Sequence, residues 1–120
     1  LIVQNETKAR VEQLTSPAGH PVAVLHFEGD IASTSKDAVI GTYQALPKGT
    51  TLVLLDFTKV DYINSSGIAL VIQLLIEASN SGQKVCAFGL SAHFTKVFTM
   101  VGIPKYAGLF PSLAEAMAEL

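Results

Sequence analysis

Thr51-Leu52-Val53-Leu54-Leu55-Asp56 and, after a polar stretch, Asn64-Ser65-Ser66-Gly67-Ile68 are the segments on which the fold turns. The first is a short apolar run of the kind buried on both faces of a sheet, ended by a carboxylate. The second opens a segment where Ile68, Val71, Ile72, Leu75, Ile76 and Ser79 recur at the i, i+3, i+4, i+7, i+8 spacing of an amphipathic helix, closed by Ser81-Gly82. A strand, a loop through Asp61 and a helix predict a unit that returns the chain for a parallel strand, since parallel strands need such a crossover.

The pattern continues in both directions. Lys84 to Gly89 reads as another buried strand, and it leads to a helix with Ser91 as N-cap, an apolar stripe of Phe94, Val97, Phe98 and Val101, and Gly102 at its C-terminal end. Ser112-Leu113-Ala114-Glu115 has capping-box spacing and opens a last helix carrying Leu113, Met117 and Leu120. Toward the N-terminus, Ala9 to Leu14 and Pro21 to Phe27 form a predicted hairpin around Ser16-Pro17-Ala18-Gly19. The second of these strands ends at Gly29-Asp30. Ser33-Thr34-Ser35 then offers helix N-caps, Val39, Ile40, Tyr43 and Leu46 recur at helical spacing, and Pro47-Lys48-Gly49 stops the helix. The sum is one α/β domain over residues 1–120, a mixed sheet of about four or five strands with about four helices. Residues 1–8 are expected to be a flexible or trimmed N-terminal extension.

Composition narrows the function. Of 120 residues, 49% are apolar and 15% charged, which favours a packed core over disorder. The net charge is only −2, and the eight Lys and Arg form no basic run, so a nucleic-acid partner is not expected. No apolar stretch approaches the roughly 20 residues that cross a bilayer, and Leu1-Ile2-Val3-Gln4, which soon turns polar at Asn5-Glu6-Thr7-Lys8, is not expected to be a secretory signal. The single cysteine, Cys86, lies within Val85-Cys86-Ala87-Phe88 and reads as a small core side chain in a reducing compartment.

In parallel sheets, sites gather at the carboxyl ends of strands. Asp30, Asp56 and Asn64, Ser65, Ser66 and Gly67 are therefore candidate neighbours. Ser65 or Ser66 would begin a helix, where unpaired N–H groups and the helix dipole favour an anion such as a phosphate; equally, Asn64 or Ser65 would serve simply as the cap. No catalytic machinery is visible. The G-x-S-x-G elbow and the phosphate-binding glycine patterns are absent, and His20, His26 and His93 read as surface or packing residues. Neither Cys nor His recurs at metal-ligand spacing, so neither a metal nor a cofactor is expected. On the predicted helix, Ser66, Gly67, Leu70 and Leu74 fall opposite the main stripe. Leu70 and Leu74 are then either covered by a neighbouring helix or part of a partner-binding patch beside the serines.

Leu54-Leu55-Asp56-Phe57-Thr58-Lys59-Val60-Asp61-Tyr62-Ile63-Asn64-Ser65-Ser66-Gly67-Ile68 resembles the central motif of STAS domains, typified by bacterial anti-sigma factor antagonists. Phe27-Glu28-Gly29-Asp30-Ile31 with Ser33-Thr34 is similar to the family's G-E-[LI]-D stretch. Phe88-Gly89-Leu90-Ser91, Val101-Gly102-Ile103 and Leu109-Phe110-Pro111-Ser112-Leu113 are similar to its C-terminal half. The resemblance implies a sheet with helices mainly on one face, and a cytoplasmic, non-enzymatic switch in which a partner kinase phosphorylates the first Ser of Ser-Ser-Gly, here Ser65. The implied partner is an anti-sigma factor with serine/threonine kinase activity, contacting Ser65, Ser66, Gly67, Leu70 and Leu74, with self-association of such domains beside it. Related domains serve stress-signalling scaffolds, anion transporters and lipid-transport complexes. Two positions depart from the family: Asn64 and Ala32 stand where it often has aspartate. The rival reading from another class is a receiver-like domain using Asp56 as phosphoacceptor, although the paired acidic residues that would hold Mg²⁺ are missing.

Overall fold

A computed structural model describes residues 5–120. Its sheet has five strands in sequence order: β1 (Lys8–Thr15), β2 (Pro21–Ile31), β3 (Leu52–Ile63), β4 (Lys84–Phe88) and β5 (Ala107–Phe110). β1 is antiparallel to β2, and every later neighbour is parallel. The helices are α1 (Thr42–Gln44), α2 (Ser65–Asn80), α3 (Ala92–Met100) and α4 (Leu113–Ala118). A 3-10 turn at Ser33–Ser35 and a π-type turn at Asp37–Gly41 lead into α1, which is a single turn.

Alternation along the strands makes two cores. Leu25, Phe27, Val53, Leu55, Phe57, Val85 and Ala87 point to one face, where they meet Val39, Ile40 and Tyr43 before and in α1, Val71, Leu74, Leu75 and Ala78 of α2, and Phe98 of α3. Val22, Val24, Leu54, Cys86 and Phe88 point to the other, where Ala116, Met117 and Leu120 at α4 cover them. Three helices thus lie on one face and the short α4 on the other. Burying a large apolar side chain contributes about 1.5–3 kcal/mol, so the Val71, Leu74 and Leu75 contacts alone tie α2 firmly to the sheet. Burial also pushes the Cys86 thiol above its ordinary pKa, the state of an inert core residue.

Three local expectations are corrected. β2 runs on to Ile31, and β3 continues past Asp56 to Ile63 instead of entering a loop. Beyond Asp56 β3 has only β2 beside it, and the pairing shifts register between His26 and Glu28 and between Gly29 and Asp30. Ala32 occupies the N-cap position of the first helical turn, and the Ser35 hydroxyl accepts the Ala32 N–H at 2.8 Å, so Ser35 braces the turn from inside it. β5, four residues long and containing Gly108, had no strand-like periodicity by which to be read. In the expected extension, β1 already begins at Lys8; Asp30 N–H donates to the Asn5 carbonyl at 3.2 Å, and the Thr7 hydroxyl donates to the Asp30 carbonyl. The rest of that expectation lies outside the described residues.

Candidate functional site

The start of α2 is built by two residues with separate tasks. Asn64 is the N-cap, in extended conformation, and its Oδ1 accepts the Gly67 N–H at 2.9 Å. Its own N–H donates to the Ile31 carbonyl at 3.1 Å, which fixes the cap to the end of β2. Gly67 is buried, and a Cβ there would stand 2.7 Å from the Ile31 carbonyl carbon and 2.9 Å from Ile63 Cγ2. Only a glycine lets the first turn of α2 lie this close to β2 and β3. Because Asn64 caps and Gly67 packs, Ser65 and Ser66 are left exposed at the first two helical positions. Ser33 and Thr34, also exposed, sit in the turn that packs against α2.

Not all candidate neighbours gather here. Asp30 does lie at this end, paired with Tyr62 near the end of β3, while its own carbonyl and N–H bond to Thr7 and Asn5. Asp56 does not: it shares the face of Leu54 and Val24, opposite the one on which α2 packs. There its Oδ2 lies 2.5 Å from His26 Nδ1, while its Oδ1 accepts the Thr58 N–H and hydroxyl at 2.9 and 2.7 Å. With both oxygens taken, Asp56 is a structural carboxylate, and the receiver-like reading falls with it. His26, expected near a strand end as a packing or surface residue, is mid-strand in β2, and its Nε2 lies 2.7 Å from Glu12 Oε1. The pairing needs the strand register, which single-sequence periodicity does not supply.

The leucines are corrected too. Leu74 is fully buried, and Leu70 is half-buried against the same core. The buried stripe of α2 is Gly67, Val71, Leu74, Leu75 and Ala78, and the helix is turned so that Ala69, Gln73 and Ile76 are exposed, with Ile68 and Ile72 half-buried beside them. The apolar track that begins at Ser65 is therefore exposed Ala69, half-buried Ile72 and exposed Ile76, one, two and three turns along. Tyr62, more than half exposed, stacks edge-on against Phe94 with ring centroids 6.0 Å apart, which adds an aromatic flank at the end of β3. An open hollow of about 570 Å3 lies elsewhere, lined by residues that include Glu6, Glu28, Lys59 and Asp61, and Ser65 does not reach it. Among the described residues no cluster of His, Cys, Asp and Glu has metal-holding geometry, and no helix is long and apolar enough to cross a membrane.

Residues 13–116 match the STAS domain, and the chain belongs to that family, whose fold is a non-catalytic protein-interaction module. No curated protein sequence matches the chain. Among solved structures, a sulfate transporter family protein from Wolinella succinogenes superposes with a TM-score of 0.72 at 16% identity, over 82% of this chain and 83% of that one. An anti-sigma factor antagonist from Mycobacterium paratuberculosis gives 0.68 at 18% identity, over 95% and 93%. The phosphorylated Bacillus cell fate determinant SpoIIAA gives 0.62 at 16%, over 92% and 97%. At these identities the likeness is one of fold, shared by antagonists and transporter domains alike.

Proposed function

We propose that this domain is a phosphorylation-controlled binding module of the anti-sigma factor antagonist kind, working in the cytoplasm, with Ser65 as the phosphoacceptor. Its partner is an anti-sigma factor that is also a serine/threonine kinase, and the unmodified domain binds it through Ser65, Ser66 and the adjoining track of α2. The observation that carries this reading is the division of labour at the helix start: Asn64 caps and Gly67 packs, so the exposed Ser65 hydroxyl has no part in holding the helix. A phosphate there meets free N–H groups and the positive end of a helix of 16 residues. The interaction surface favoured by burial is Ala69, Ile72 and Ile76 with Leu70 at its edge, and Leu74 is given up as a contact.

The test is reaction of the purified domain with ATP and the cognate kinase, followed by phosphopeptide mapping. Ser65 should carry the phosphate, and modification only at Ser66, Thr58 or Thr34 would remove the basis of the proposal. Asn64 and Ala32 support a second reading, a constitutive module that binds without being switched, because the carboxylates the family often has are absent. In that case the partner captures the domain but leaves it unlabelled. A membrane anion transporter or a stress scaffold as the purified partner would instead point to the other branches of the family.

A further inference from the structure

We propose that Glu12, His26 and Asp56 form a proton-dependent clasp that holds the edge strand β1 to the centre of the sheet. The three residues lie on three adjacent strands and on one face, with His26 between the carboxylates. An ionised carboxylate only accepts hydrogen bonds, so both ring nitrogens of His26 must donate, and imidazolium is the form of the ring with two N–H groups. The clasp therefore requires a proton on the ring.

β1 depends on it more than any other strand does. No β1 side chain is fully buried; Ala9, Glu12 and Leu14 are half-buried, and Val11 is exposed. Apart from the backbone ladder to β2, its side-chain tie to the interior on this face is Leu14 near one end and Glu12 in the middle. The other charged groups around the ring are Arg10 directly opposite on β1, Lys8 beyond it, Glu28 on β2 and Lys59 on β3; α4 adds none to the hollow of about 280 Å3 through which water reaches the ring.

The sign follows from the donor count. Where the ring is charged and both carboxylates are ionised the clasp is complete, and it is lost when the ring gives up its second proton. Deprotonation leaves one nitrogen lone pair facing a carboxylate oxygen. Asp56 is held by Thr58 and only 12% exposed at its side chain, whereas the Glu12 side chain is 44% exposed and free to turn to water, so the link to β1 is the one that opens.

Hydrogen exchange of β1 amides, corrected for base catalysis and referred to β4 amides, is measured from about pH 5.5 to about pH 9 beside nitrogen NMR of the His26 ring. Protection of β1 should fall about two- to fivefold as the ring loses its proton, a range set by the exposure of Glu12. Glu12→Gln should remove most of that fall, and His26→Gln, which has no proton to lose, should give a ratio independent of pH. A ring that is neutral throughout, constant β1 protection in the unsubstituted domain, or the same fall in either variant would each overturn the clasp.

Discussion

Gly67 lies against the peptide of Ile31, closely enough that no side chain fits between α2 and the end of β2. Alanine in a helix interior gains about 1 kcal/mol over glycine, so Gly67→Ala would stabilise a free helix. Here the added methyl meets backbone, which cannot rotate aside, and overpacking of that kind costs about 1–3 kcal/mol or more. The net expectation for Gly67→Ala is a loss of up to about 2 kcal/mol or more in urea unfolding, with the amide resonances of Asn64 to Ser66 displaced. Unchanged stability and unchanged resonances would mean that α2 slides freely over Ile31.

Asn64 separates capping from chemistry. Asn64→Ala removes the acceptor for the Gly67 N–H and should cost about 1 kcal/mol in thermal or urea unfolding. Asn64→Asp keeps an acceptor and sets a negative charge at the positive end of α2, so stability should hold or rise by about 0.3–1 kcal/mol at low salt. The same change restores the carboxylate that the family often places before its phosphorylated serine. Faster labelling of Ser65 by the kinase in Asn64→Asp than in the unsubstituted domain is expected; equal rates would show that this carboxylate has no part in the transfer.

The alternation of strands and helices is legible because buried strands such as Val53-Leu54-Leu55 and Val85-Cys86-Ala87 are dense in apolar residues. The arm of β3 from Phe57 to Ile63 hides because, with only β2 beside it, its outward positions are polar and resemble a loop. The phase of α2 is harder, since seven of the nine residues from Ile68 to Ile76 are large and apolar and more than one stripe satisfies helical spacing. Gly67 and Ala78 hold the missing signal: small residues separated by three turns mark the line along which a helix meets a sheet most closely. The link from Glu12 through His26 to Asp56 leaves no trace in spacing, because it exists only once two strand registers are set.

That phase has a direct test. Leu74→Ala removes a fully buried side chain and should cost about 2–5 kcal/mol, with partner binding lost only in proportion to unfolding. Ala69→Asp lies on the exposed side and should stay within about 0.5 kcal/mol of the unsubstituted stability while weakening capture of the partner. Melting curves and pull-downs on the two variants give opposite results if the exposed track is Ala69, Ile72 and Ile76. A tolerated Leu74→Ala together with an unfolded Ala69→Asp would return the helix to the phase with Leu74 outside.

Phosphorylation of Ser65 should act on the interface and spare the fold. A phosphoserine carries about −1.5 to −2 charges at neutral pH, and at the start of α2 it meets the N–H groups that Asn64 leaves unpaired. The residue is exposed, so the charge keeps its water in the free domain. In a complex that covers Ser65 and the Ala69 track, the same charge loses water against a surface shaped for a hydroxyl. Mismatches of this kind cost about 2–5 kcal/mol, which is roughly a thirty- to several-thousand-fold fall in affinity. Ser65→Asp, with a smaller charge, should show the lower part of that loss with near-native circular dichroism, and Ser65→Ala should bind normally and resist the kinase. Titration calorimetry of the three proteins against the partner, with melting curves alongside, decides the matter: equal affinities, or a Ser65→Asp protein that has lost its fold, would place the switch somewhere other than at this interface.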